Sequence, residues 1–249
     1  MASLSTSMQP QPSDLTVGAV RARMRAATPP RYSWRRHVAL IVAFVAAALM
    51  TVMSQLGSIS LRDAGALLGI LLFLNLGEYS THRWTMHRRS FPRAVHHRHV
   101  VEHHGFFTYQ HSATESWADL RWVLFPWWAL PLLVAGVAPF ALLLALFSGR
   151  LAWLFLLAVT LYYGLYEILH TLAHLPADHR WAGHPTVQAL TLHHRVHHDP
   201  ALMRRYNFNF VVPLFDRVFG TTFRACSENT PCTTKDTKDT EDTEDREVQ

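Results

Sequence analysis

LAWLFLLAVTLYYGLYEILHTLAH, residues 151–174, carries an apolar run of nineteen positions directly into two histidines four residues apart. At 1.5 Å per residue, residues 151–169 make about 28 Å of helix, close to the roughly 30 Å thickness of bilayer hydrocarbon. His170 and His174 fall about 40° apart around that helix, on one side, where the chain would leave the lipid. The reading is a membrane span that ends in metal-ligating side chains.

Three further apolar regions extend it. VALIVAFVAAALMTVMSQL (38–56) is longer than the roughly 7–15 residues of a signal-peptide core and reads as a span. AGALLGILLFLNLGEY (64–79) is shorter and ends just before the first histidines. WVLFPWWALPLLVAGVAPFALLLALF (122–147) is interrupted by Pro126, Pro131 and Pro139, which remove amide donors and kink a helix. Histidines precede this third region and follow the fourth, so they meet only if residues 122–169 cross the bilayer twice. The expected architecture is all-α, a bundle of about four spans under a histidine-rich helical cap.

Arginine placement orients the bundle, because short loops rich in Lys and Arg stay cytoplasmic. Six arginines between Arg21 and Arg36 precede the first span, six between Arg83 and Arg121 separate the second from the third, and five between Arg180 and Arg217 follow the fourth. Only Arg62 and Arg150 remain for the far side. The N-terminus, the histidine clusters and the C-terminus are therefore expected on the cytoplasmic face.

Composition agrees with lipid as the solvent. Of 249 residues, 49% are hydrophobic and only 16% charged, against about 25% charged in an average soluble domain. The net charge of +5 forms no basic stripe with interleaved aromatics, which argues against nucleic acid. Residues 1–36 hold no apolar run and read as a flexible basic arm; residues 37–224 form the membrane-embedded domain. Residues 225–249, with Cys226, Cys232 and a TTKDTKDTEDTED pattern, read as a disordered tail offering neither disulfide nor thiolate site.

Most of the seventeen histidines fall in four clusters, each just beyond an apolar run. HRWTMH supplies His82 and His87, and HHRHVVEHH supplies His99, His103 and His104. HTLAH supplies His170 and His174, and HHRVHH supplies His194, His197 and His198. On α-helices, His99 with His103, His170 with His174, and His194 with His197 and His198 share a side. His103 and His104 diverge by about 100°, which suits two metals or one ligand and one supporting group. His82 and His87 lie about 140° apart, so they need a helix end, a distortion or two metals. His96, His97 and His193 can support from outside the metal, whereas His37 and His111 lie apart from the clusters.

All-nitrogen coordination accommodates Zn, Fe, Cu or Ni. Ten imidazoles exceed one tetrahedral zinc and point to two metals. Glu78, Glu102 and Glu167 keep a hydrolytic zinc reading open, although Glu102 reads better as orienting a histidine.

Together the boxes HxxxxH (His82, His87), HxxxHH (His99, His103, His104), HxxxH (His170, His174) and HxxHH (His194, His197, His198) resemble those of the fatty acid hydroxylase/sterol desaturase superfamily. So does the ending NFNFVVPLFDRVFGTTF (207–223), and the resemblance covers about residues 38–223. Leu175 departs from it, standing where fatty acid 2-hydroxylases commonly have a second histidine after the third box. The resemblance implies a di-iron centre, with zinc possible in isolated protein, that uses O2 to hydroxylate or desaturate a C–H bond of a fatty acyl or sterol-like lipid. It implies those ten histidines as the ligands. Electrons would come from a separate cytosolic or membrane redox protein, since the chain carries no haem, flavin or iron–sulfur motif.

The substrate would be a membrane lipid entering from the bilayer, with Trp84, Trp122, Trp127, Trp128 and Trp181 as a pocket lining or an interfacial belt. Asn207 and Asp216 read as pins for the cap's backbone, and Tyr166 and Glu167 as possible orienters of His170. A carotenoid hydroxylase is the enzymatic alternative. A membrane metal carrier or sensor is the alternative of another class, and it requires ionisable residues along the spans. Oligomeric state is left open.

Overall fold

The computed structural model describes residues 12–224, with no strand among them. The tail expected at 225–249, with both cysteines, lies outside the described residues.

Helix α1 (Pro12–Ala26) precedes α2 (Trp34–Leu56) and α3 (Leu61–Ser80), which continues into a π-helical segment, Thr81–Met86. A cap follows, built from α4 (Arg93–His96), a second π segment (His97–His103), α5 (His104–Phe106), a 3-10 turn (Trp117–Asp119) and α6 (Leu120–Val123). Helices α7 (Ala129–Phe147) and α8 (Gly149–Ala173) form the second apolar pair, and α9 (Pro185–His197) and α10 (Leu214–Val218) complete the cap.

Four stretches are long and apolar enough to cross a membrane: Trp34–Leu56, Leu61–Met86, Ala129–Phe147 and Gly149–Ala173. The architecture is that of a multi-pass integral membrane protein. Serine starts three of these helices, as its short side chain satisfies an orphan amide. Ser33 accepts from the Arg36 amide, Ser60 exchanges bonds with Asp63 in a capping box, and Ser148 accepts from the Leu151 amide. The interrupted region 122–147 resolves into α6, a break and α7. Leu124 turns extended at the break, Phe125 precedes Pro126, and Pro139 is accommodated within α7.

Helix α8 is the axis of the bundle. Over its most apolar stretch 56% is buried, against 11–17% in the other three, so those present most of their surface outward. It packs on α2, α3 and α7 through Val52, Leu56, Leu154 and Leu157, and through Ala141, Phe155 and Val159. At the end away from the cap, Arg150 binds both carboxylate oxygens of Asp63 at 2.7 Å and the carbonyls of Leu56 and Ser58, closing the α2–α3 connection.

Residues 12–26 correct the expectation of a flexible arm. Helix α1 docks on the cap through Arg21, which is buried, donates to the Ala113 carbonyl at 3.0 Å and lies over the Phe106 ring at 4.7 Å. The absence of an apolar run suggested flexibility, but this helix is held by charge and cation–π contact instead.

Candidate metal centre

The structure brings all ten boxed histidines into one buried layer where the cap meets α3 and α8, sorted into two groups. In the first, one ring nitrogen each from His82, His87, His99 and His197 lies within 4.8 Å of the others; in the second, the same holds for His103, His174, His194 and His198. His104 adjoins the first group, with its Nε2 3.2 Å from that of His99. His170 joins the second, with its Nε2 3.2 Å from that of His103 and 3.1 Å from that of His194.

Helix type does the sorting. In the Thr81–Met86 π segment the His87 amide donates to the His82 carbonyl, five residues back, and in the His97–His103 segment the His104 amide donates to the His99 carbonyl. This wider turn places fifth neighbours together. It supplies the distortion that the His82/His87 spacing demanded and sends both pairs to the first group. The α-helical pairs His170/His174 and His194/His198, four apart, go to the second. His103 and His197 cross over. His99 shares a side with His103, and His194 with His197, as near-parallel rings 5.6 and 5.9 Å apart, yet each pair divides between the two groups.

Main-chain carbonyls aim the rings. The Nδ1 atoms of His82, His103, His174, His197 and His198 face the carbonyls of Phe208, Trp122, Ser112, Tyr206 and Phe107 at 2.5–3.1 Å. A carbonyl only accepts, so each Nδ1 holds the proton and each Nε2 presents a bare lone pair to the centre. This orienting role has no sequence signature, because any residue supplies a carbonyl. The Nδ1 atoms of His87 and His104, both in or beside π segments, are buried without a partner.

The donor arrangement fits cations. His194 Nε2 faces the Nε2 atoms of His174, His198 and His170 at 3.0, 3.0 and 3.1 Å. His99 Nε2 faces those of His82, His87 and His104 at 3.0, 3.0 and 3.2 Å. One Nε2 proton can satisfy at most one of three such contacts, and the remaining lone pairs repel unless a positive charge lies among them. Protonating the rings is no remedy. Burial, and then the charge of neighbouring rings, holds His99, His103, His104, His194, His197 and His198 well below the usual histidine range, and burial lowers His174 to about 4.

The remaining candidates lie outside both groups. His96 faces the Met86 carbonyl, His193 the Asn209 carbonyl and His37 the Phe125 carbonyl. His179 and His184 accept amides of their own turns. Glu102 is corrected as an orienter of a grouped histidine, since it pairs with Arg98 and faces exposed His97 instead. Glu167 accepts from the Phe125 amide at 3.2 Å, bracing the break before α7, while Tyr166 packs its ring 5.4 Å from that of His170. Glu78 accepts from the Phe210 amide at 2.7 Å and the Tyr162 hydroxyl at 2.6 Å. Asp216 accepts from the amides of Phe208 and Asn209 and from the Thr221 hydroxyl, fixing the segment whose Phe208 carbonyl aims His82. Asn207, at φ 58°, donates to the His193 carbonyl and accepts from the Phe223 amide. Both pin the cap's backbone.

A cavity of about 1180 Å³ runs from the histidines between α2 and α7, its wall including His99, His103 and His170. A smaller one of about 270 Å³ reaches His82 and shares Thr81, Met86, Phe125 and Tyr166 with the first. Trp122, Trp127 and Trp128 line the larger cavity; Trp84 and Trp181 lie outside it, on the surface.

In comparisons with known proteins, the family described as fatty acid hydroxylase matches residues 67–221, a stretch that holds every boxed histidine. No curated protein and no solved structure is significantly similar to the chain.

Proposed function

The chain belongs to the fatty acid hydroxylase family, and from that premise we propose that it is a di-iron membrane oxidoreductase that uses O2 to hydroxylate or desaturate a C–H bond of a lipid. One observation carries this reading: two buried all-histidine donor sets stand side by side, and histidines of both form the wall of an apolar cavity between spans.

His82, His87, His99, His104 and His197 would hold one metal, and His103, His170, His174, His194 and His198 the other. Neutral imidazole also suits zinc, but zinc has no redox chemistry, whereas a pair of irons supplies the electron transfer that O2 activation needs. The chain's own part is placement. The carbonyls at Ser112, Trp122, Tyr206 and Phe208 keep the rings aimed, and the cap keeps bulk water from them. The cavity exceeds the roughly 300–1,000 Å³ of ordinary small-molecule pockets and is lined by residues of α2 and α7, between which a hydrocarbon chain would enter from the bilayer. Hydroxylation places one oxygen atom of O2 in the product and one in water; desaturation sends both to water. Either needs two electrons and two protons from outside, so a separate redox protein would dock on the histidine-bearing side, which the arginine distribution assigns to the cytoplasm.

A carrier is disfavoured. Asp63 pairs with Arg150 at one end of the bundle, and Glu78 and Glu167 brace the backbone at the other, leaving no path of ionisable groups between them among the described residues.

The test is turnover in native membranes with a reduced donor and labelled O2, with His197→Ala as control. Label in an extracted lipid that vanishes in the variant supports hydroxylation, and a new double bond without label supports desaturation. Unchanged lipids from metal-loaded protein sink the proposal.

A further inference from the structure

The larger cavity is apolar along its length and cationic at its rim. Arg31 and Arg36 approach from either side of the start of α2, and Arg98 and Arg121 from the cap. Glu102 is the one carboxylate among its lining residues, and Arg98 already engages it, together with the carbonyls of Arg121 and Leu124. No carboxylate among the described residues pairs with Arg31, Arg36 or Arg121.

Arg121 is held in place all the same. Its guanidinium lies 5.0 Å from the Trp122 ring centre and 5.4 Å from that of Tyr32, and its Nε is buried with no partner. Guanidinium presents donors in a fixed fork that matches carboxylate and phosphate oxygens. Positioning the fork by stacking, while giving it no internal anion, prepares it for an anion that arrives with a ligand.

We propose that the cavity selects lipids with an anionic head, a carboxylate or phosphate held by Arg36 and Arg121 at the rim, with the hydrocarbon chain lying along the wall past His99, His103 and His170. This rests on the lipid reading above and narrows it: a neutral alcohol or sterol of equal bulk fills the apolar part and leaves the rim unpaired. General attraction of arginines to an anionic bilayer does not account for the arrangement, because Arg35, next in sequence to Arg36 and exposed like it, stacks on Trp34 outside the cavity that Arg36 lines.

The test uses the full chain in neutral detergent and follows tryptophan quenching, since Trp122, Trp127 and Trp128 line the cavity. The probes are a dibrominated fatty acid and the fatty alcohol of the same chain. The acid is expected to bind about tenfold more tightly than the alcohol, a charge-assisted contact being about twice as strong as a neutral one. Arg36→Gln and Arg121→Gln should each remove most of that preference while leaving alcohol binding and metal content unchanged. Arg35→Gln should change nothing, and excess inorganic phosphate should not displace the acid, because head and chain bind as one ligand.

Equal binding of acid and alcohol, an equal loss in Arg35→Gln, or displacement by phosphate alone would overturn the proposal while leaving the oxidation of lipids standing. Failure of both probes to quench would remove the lipid cavity itself, and the proposed function with it.

Discussion

Arg25 grips Asp119 in a two-pronged contact, its Nε and one terminal nitrogen lying 2.9 and 2.8 Å from separate carboxylate oxygens. The loop that Asp119 organises also carries Ser112, whose carbonyl aims His174, and Ala113, whose carbonyl takes a bond from Arg21. Helix α1 thus lies outside the family-matched region yet braces a wall of the second histidine group. Asp119→Ala should cost about 1–3 kcal/mol, because it strands the amides of Glu115 and Ser116 while half-exposed Arg25 keeps Glu115, and should loosen metal in that group first. Thermal unfolding in detergent and metal analysis after brief chelation report the two effects.

The same contact fixes a pH dependence. Burial pushes the Asp119 carboxyl up, but Arg25 and the amides of Glu115 and Ser116 together pull it below its ordinary value. A depressed carboxylate stabilises the fold fully above about pH 3.9, and that contribution is lost as pH falls through the lower folded value. Helix α1 should therefore stay docked through mild acid and become accessible to an acid protease only below the usual carboxylate range.

The histidines respond earlier. Their folded values are depressed by burial, His174 to about 4 and His99, His103 and His194 well below the usual histidine range, so the unfolded chain takes up protons first as pH falls below about 6.5. Stability from neutral imidazole is complete above that pH and declines beneath it, and protons compete with metal for the same lone pairs. Metal content and unfolding temperature should fall together between roughly pH 6.5 and 4. A flat profile over that window would contradict the burial of these rings.

Neighbouring histidines should behave differently on substitution. His198→Ala removes a donor from the second group and is expected to lower bound metal from about two ions to about one per chain. His193→Gln, whose parent ring faces only the Asn209 carbonyl, should leave the count unchanged. Elemental analysis of the purified variants separates them.

Spacing within the π segment is testable by insertion. One alanine between Thr85 and Met86 moves His87 beyond the five-residue register that brings it over His82, turning it away by about 100°. Metal should be lost from the first group and retained in the second, which draws on neither residue.

Filling the cavity should change what is oxidised without emptying the metal sites. Val137 lines both cavities, and Val137→Trp should shift products toward shorter chains at unchanged metal content. Lipid analysis of membranes expressing the variant reads the shift.

The spans were legible because bilayer thickness imposes a length that the first and fourth apolar runs meet and that the crossing count extends to the other two, and the site because ten imidazoles beyond those runs have few other uses. The division between the groups was legible only at adjacent His103 and His104, whose divergence suits two metals. His99 and His103 look like an α-helical pair by spacing, and only the His82/His87 interval asked for a distorted helix. The carbonyls that aim the rings were silent. Arg21 and Arg25 looked like topology-setting charges, because their partners lie 92 and 94 positions away and pair only once the cap has formed.

The two halves of the molecule differ in what completes them. Leucine, valine and alanine settle α2, α3, α7 and α8 against one another once they are in lipid, with no outside help. The cap closes over imidazoles whose facing lone pairs repel unless cations lie among them, so its closure depends on something from outside the chain. In a metal-starved cell the chain would be threaded and oriented yet left ajar, its loops open to proteases.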